Sequence, residues 1–328
     1  KLYKAPIFTK AEVREWLNLN GYGVQNAMAG SPNTAGGFLV PDFLDANIIR
    51  LVTEYGIARK HSRVYPMGGG TTMIPRRSGG LTAYFVAEND AITASDLTFD
   101  QVSLSPKSLA TLTQVSNQLS MASVVALAEL LSVEIAQSFA NKEDECLFNG
   151  DGTSTYGGMV GCKNKLAAGS KQTAGAGVDT FAELVIGEFH GAMAKLARIP
   201  GIMPKWFVHP ACFFLAMERL AVAAGGNSTV NYSSGLGTPM FLGYPVVFTN
   251  VLESSAGDIS DLTYGYFGDL AMASTFGATQ GITVQADQSY FFNKNAVAVR
   301  GVEMFDINVH EIGTSSVGGP LIALIAGS

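Results

Sequence analysis

Hydrophobic and polar positions follow two different periods along this chain. Between Leu119 and Gly161, Leu127, Leu131, Ile135, Phe139 and Leu147 recur at spacings of four or eight, with Val124 and Ala128 beside them. That spacing paints one apolar stripe, and Glu129, Glu134 and Lys142 to Glu145 fill the other side. It predicts a long helix over 123–149, capped by Ser123 and ended by a left-handed residue at Asn149-Gly150. About 25 residues at about 1.5 Å each give roughly 38 Å, longer than a typical globular helix. Such a helix either crosses a large core or acts as a beam along an extended subunit. From Lys60 to Gln118 the period falls to two. TTMIPRR and TAYFVAE flank a Ser78-Gly79-Gly80 turn, and Leu97, Phe99, Val102 and Leu104 alternate less regularly. An isolated two-stranded ribbon is marginal in water, so this one is expected to lie against something else, most plainly another copy of the chain.

On either side of these two elements the pattern is mixed. Residues 1–35 hold one short amphipathic piece, Ala11 to Leu19, in a tether rich in Gly, Asn and Pro. Such a tether cannot bury enough surface to fix itself. Gly36-Gly37 reads as a hinge, Phe38 to Val40 as a short strand, and Pro41 as the first turn of a helix. Leu44, Ile48, Leu51 and Tyr55 face the core, and Gly56 ends that helix. After Gly161, Thr180 and Glu183 form a capping box for a helix that stops before Pro200. Lys205 to His209 reads as a buried strand. Pro210 opens a helix reaching Gly225-Gly226, and a polar loop, Asn227 to Gly237, follows. Further strands are predicted at 243–250, at Tyr266 to Asp269, at Gly281 to Gln285 and at Val297 to Val309, before a Gly-rich tail. The fold class is α+β.

Composition sharpens this picture. Of 328 residues, 47% are apolar and only 15% charged, against about a quarter charged in an ordinary soluble chain. A surface poor in charge and rich in small residues fits one covered by neighbouring subunits. The net charge of −6 provides no basic stripe for wrapping nucleic acid, although a container can enclose nucleic acid without one. Cys146, Cys162 and Cys212 are an odd, scattered set, which suggests a reducing compartment and no disulfide frame. No apolar run reaches the roughly 18 residues of a membrane span, and no signal peptide is visible. The start at Lys1 fits either an N-terminal processing cut or a trimmed piece.

A search for chemistry nominates no catalytic, cofactor-binding or metal-binding residue. GxxxxGK[ST], HExxH, GxSxG and a strand-linked GxGxxG are all missing from the sequence, and Gly68-Gly69-Gly70 lacks a following Lys. His61, His190, His209 and His310 lie far apart and read as core or interface residues. Asn149 to Thr153 resembles the start of a calcium loop, but the twelfth position is Val160, where a carboxylate is required. Glu143, Asp144 and Glu145 at consecutive helix positions point in different directions, and are expected to form a solvated helix end. Gly150 and Gly152 are turn glycines, as Gly36 and Gly37 are hinge glycines.

The order of several stretches resembles the major capsid proteins of tailed bacteriophages, the Hong Kong 97 type. GGFLVP (36–41), AYFVAE (83–88) and LTFDQVSLSPKSLATLTQVSNQLS (97–120) carry the likeness, followed by LFNGDGTSTYGGMVG (147–161), LGYPVVFTN (242–250) and YFGDL (266–270). The resemblance spans about Gly36 to His310. It implies an N-terminal arm at 1–35 and a peripheral domain at 36–59 and 107–169, with 123–149 as its spine helix. It implies further an extended loop at 60–106, an axial domain at 170–285, return strands of the peripheral domain at 286–311, and a tail at 312–328 reaching the axial domain. The implied function is a structural protein that forms hexamers and pentamers of an icosahedral head enclosing double-stranded DNA, with no sequence-specific DNA binding, no cofactor and no membrane. The implied partners are other copies, a scaffold or maturation protease, a portal and a decoration protein; assembly would occur in the host cytoplasm and the product reside in the virion. Arg76 and Arg77 are expected to meet acids on a neighbour, and Glu88, Asp90 and Asp96 to accept from one. Some relatives crosslink through an extended-loop lysine. None lies between Arg63 and Pro106, which implies a non-covalent shell. Two rivals stand beside this reading: an encapsulin-type nanocompartment shell, and a soluble enzyme using carboxylates near Gly150.

Overall fold

The computed structural model describes residues 56–118, 127–223, 239–287 and 289–328. The predicted hinge Gly36-Gly37, the helix after Pro41, the cap Ser123 and the polar loop at Asn227 to Gly237 lie outside them. In chain order the elements begin with α1 (Ile57–His61), β1 (Arg63–Pro66), β2 (Thr72–Gly79), β3 (Thr98–Leu104), β4 (Lys107–Ser116) and α2 (Leu127–Asn149). Next come α3 (Cys162–Lys165), β5 (Lys171–Thr173), α4 (Ile186–Lys195) and β6 (Lys205–Val208). α5 (Pro210–Cys212) then runs through a π-helical turn, Phe213–Met217, into α6 (Glu218–Ala223). The chain closes with β7 (Met240–Phe241), β8 (Tyr244–Phe248), β9 (Thr263–Gly268), α7 (Leu270–Ala273), β10 (Ser274–Asp287), β11 (Ala296–Val309) and β12 (Leu321–Ile325).

Two sheets organise these elements. A four-stranded sheet runs β1-β10-β11-β4, with β1 parallel to β10 and the other pairs antiparallel. The expected division between residues 285 and 286 falls inside β10, which pairs with β11 from Ser274↔Val309 to Asp287↔Ala298. Strand pairing therefore corrects that division: 274–285 belongs with 296–309. α2 lies over this sheet, and Gly301 on β11 is the reason it can. A Cβ there would come within 2.5 Å of Ile135 and 3.3 Å of Phe139, so a missing side chain lets the apolar stripe close on the strand.

A six-stranded sheet runs β5-β12-β9-β6-β8-β7. Its central strands are buried on both faces, which favours continuous apolar runs over alternation. Successive residues still point to opposite sides. Phe207 on β6, with Leu321 and Ala323 on β12, joins a core shared with α1, the end of α2, Phe276 and Phe305. Trp206 and Val208, with Ile322 and Leu324, face a second core under α4 and the π-helical turn, where Phe189, Phe213, Phe241 and Phe267 gather. The apolar run of β12, inside what reads in sequence as a glycine-rich tail, is thus a strand at the middle of a sheet.

Two predicted elements differ. The hairpin partner of β2 is β3, with register from Thr72↔Leu104 to Gly79↔Thr98, and residues 80–97 join them without forming a strand. TAYFVAE has the composition of a strand but no partner within the described chain, and side-chain packing against neighbours is what gives β-propensity its force. Thr180 and Glu183 do meet, Thr180 Oγ1 donating to Glu183 Oε2 at 2.8 Å, but they close a turn. The helix begins later, at Ile186.

Candidate assembly surface

The ribbon β2–β3 is fixed at one end and exposed at the other. At its base Val102 and Leu104 are buried, Ser105 N–H donates to Asp306 Oδ2 at 2.6 Å, and Asn308 Nδ2 donates to Ser103 O at 2.9 Å. Arg76 completes the base. Its guanidinium bonds Asp100 across the ribbon at 2.8 Å, Glu311 at 3.2 Å and the His310 carbonyl oxygen at 2.5 Å. The Arg76 hydrogen bond draws the Asp100 carboxyl below its usual range. Burial lowers His310, whose Nε2 meets Thr275 Oγ1 at 3.0 Å. Arg76 is therefore engaged within its own chain.

Arg77 points the other way. It stands opposite exposed Phe99, is itself exposed, and forms no salt bridge among the described residues. Glu88, Asp90 and Asp96 lie on the exposed connection 80–97. Leu81, Tyr84 and Val86 are exposed there too, with Phe85 fully exposed and Ile92 at 82%. The three acids thus share the exposed connection 80–97 with these apolar side chains, Arg77 stands exposed on β2, and Arg76 is tied to the base of the ribbon.

Gly150 and Gly152 sit where α2 ends. Gly152 is left-handed at φ 84°; Gly150 is not, and its role is close approach. A Cβ on Gly150 would meet Cys146 O at 2.6 Å, and one on Gly161 would meet Leu147 O at 2.6 Å. The two are joined by a Gly161 N–H to Gly150 O bond of 2.9 Å. A polar cavity of about 500 Å³ opens beside this turn. Its carboxylates are occupied locally: Asp151 accepts from Thr153 N–H, and Glu253 from Ser254 and Ser255 N–H. Among the described residues lining it, none is a histidine that could serve as a base.

The acids at the end of α2 correct the expectation of a solvated end. Glu143 is 2% and Asp144 1% exposed. Asp144 accepts from the N–H groups of Gly56, Ile57 and Ala58 at 3.0, 3.1 and 2.7 Å, capping the start of α1. Burial raises the Asp144 carboxyl and the three amides pull it back. Glu143 shares Arg59 with Glu303 of β11. Burial would lower the Arg59 guanidinium, but the two carboxylates outweigh it and the group is raised. A signal was present in the sequence: Ile135, Phe139, Glu143 and Leu147 share one spacing of four, so Glu143 occupies a place in the apolar stripe.

The cysteines are free and buried, and burial raises Cys146 to about 11 and Cys162 to about 12. His61 falls to about 4 through burial and the nearby Lys205 and Lys60; His209 Nδ1 accepts from Ala211 N–H at the start of α5. Among the described residues no group of three or more side chains could hold a metal ion, and no helix is long and apolar enough to cross a membrane.

The described body thus combines two sheets, a long helix laid on one of them and an exposed ribbon. The chain belongs to the phage capsid family, whose pattern matches residues 36–311, and its fold is the Hong Kong 97 type. It is 24% identical over 313 residues to the major capsid protein of Klebsiella oxytoca phage phiKO2, covering 88% of this chain and 69% of that protein. Among solved structures, the capsid of the native GTA particle overlays at TM-score 0.66 and 17% identity, covering 91% of this chain and 99% of the other. The structure from Mycobacterium phage Adephagia overlays at TM-score 0.66 and 17% identity, covering 92% and 99%. The relatives favour a viral capsid over the nanocompartment and the soluble enzyme.

Proposed function

We propose that copies of this chain assemble as hexamers and pentamers into an icosahedral head around packaged double-stranded DNA, using the ribbon as the principal arm between subunits. The observation that carries this reading is the projection at 80–97, which exposes Leu81, Tyr84, Phe85, Val86 and Ile92 together. Apolar side chains gathered on a segment without a core are a docking surface, and a second copy supplies the burial. In this reading 1–35 is an arm, 60–106 the extended loop, and α2 with the four-stranded sheet the peripheral domain. The six-stranded sheet with α4 to α6 is the axial domain, which β12 enters from the tail. Each subunit then makes several modest interfaces whose effects multiply. Scaffold or maturation protease, portal and decoration proteins complete the head, which matures in the host cytoplasm. Electron microscopy and ultraviolet absorbance of purified material test the reading: closed shells built of hexamers and pentamers, with a nucleic-acid absorbance, are expected, and a discrete small oligomer would overturn it.

A further inference from the structure

A cluster with no part in the assembly reading lies where α1, α2 and β11 meet. Glu143 and Glu303 are both buried, at 2% and 1% exposure, and one guanidinium serves them both. Arg59 Nη2 donates to each carboxylate and Nε reaches Glu143 Oε2 at 3.4 Å. The Phe276 ring of β10 lies 5.1 Å from the same guanidinium. Glu303 Oε2 is buried without a hydrogen-bond partner among the described residues.

Charge counting exposes the difficulty. Two ionised carboxylates and one cation leave a surplus negative charge out of water, which is strongly unfavourable. Among the described residues no second cation relieves it. The charged groups facing Glu143 are Arg59 from α1 and Glu303 from β11. On α2 itself Lys142 is paired with Glu145 at 2.7 Å, and Asp144 is turned to the α1 amides. A single proton between the two glutamates removes the surplus and gives the orphan oxygen a donor.

We infer that Glu143 keeps a proton directed at the unpartnered oxygen of Glu303 beside Arg59, and that this proton locks α1 to the long helix and the four-stranded sheet. Its loss in alkaline solution places two like charges at the junction and loosens α1. The inference stands on this cluster alone and does not need the assembly reading. Burial acts in the same direction, raising Glu143 to about 8 from an ordinary 4.5. The sign follows: the folded chain binds more protons than the unfolded one, so the contribution is complete below the unfolded value and is lost as pH rises through about 8.

Infrared spectroscopy of the chain tests this directly, through the carbonyl stretch of a protonated carboxylic acid. The band should be present at neutral pH, vanish on titration through about pH 8, and be missing from both Glu143→Gln and Glu303→Gln. The Glu143→Gln amide can donate to Glu303 as the proton does. Its melting temperature should therefore stay level across the window where that of the wild type falls by several degrees. Absence of a titrating band in the wild type, or its survival in both variants, would overturn the inference. Should either variant fail to fold, the wild-type titration decides alone.

Discussion

Consecutive carboxylates at the end of α2 do different work because each finds a different partner far away in sequence. Asp144 satisfies three amides at the start of α1, groups that a helix leaves unpaired and that burial makes costly. Asp144→Ala strands all three, so we expect a loss of roughly 3 kcal/mol of subunit stability in denaturant unfolding. Asp144→Asn, which keeps an acceptor, should lose less. The two arginines of the ribbon divide in the same way. Arg76 is bound to Asp100, Glu311 and the His310 carbonyl, while Arg77 is exposed beside Phe99. Arg77→Glu should cut particle yield several-fold with an unchanged subunit melting temperature; Arg76→Ala should lower that temperature as well. Equal effects of the two on folding would contradict this division.

Among the elements, α2 and the ribbon show how far periodicity reads and where it stops. The stripe through Ile135, Phe139 and Leu147 was legible because a helix repeats its buried face locally, and those three residues are buried. Glu143 was legible only as a gap in the stripe, since its partners Arg59 and Glu303 lie 84 and 160 positions away. β12 escaped for the opposite reason. Leu321, Ile322, Ala323 and Leu324 are all buried, so β12 shows no alternation, and nothing local says which sheet receives it. The ribbon was legible as two-residue period, but its register was not, because TAYFVAE and the true partner β3 are comparably strand-like. What distinguishes them is Val102 and Leu104 packed at the base, a tertiary fact. The candidate site was accordingly legible as an exposed, acid-bearing excursion, while the separation of Arg76 from Arg77 depends on Glu311 and the His310 carbonyl, more than 200 positions away. Replacing 81–96 with two glycines removes the apolar projection but leaves the anchored base. The subunit should unfold within about 0.5 kcal/mol of the wild type, and the variant should form no shells in electron micrographs. Normal shells would show that the projection is dispensable.

At the scale of the whole molecule, a chain with only 15% charged residues has few ion pairs with which to hold copies together, and exposed pairs contribute little individually in any case. Cohesion must come from apolar burial repeated over many contacts per subunit, which is strong collectively while each contact stays reversible. A covalent alternative through the ribbon needs a nucleophilic amine there, and Arg63 to Pro106 contains no lysine. The next amine along the chain, Lys107, opens β4 and pairs with Phe305 at the sheet, on the anchored side of the ribbon rather than on its projection. Arginine cannot substitute, because its guanidinium stays protonated and does not acylate under these conditions. Purified particles boiled in detergent should therefore run as a single band at the mass of one subunit. Ladders at multiples of that mass, resistant to reducing agent, would show that another amine forms the bond and that the shell is chemically sealed.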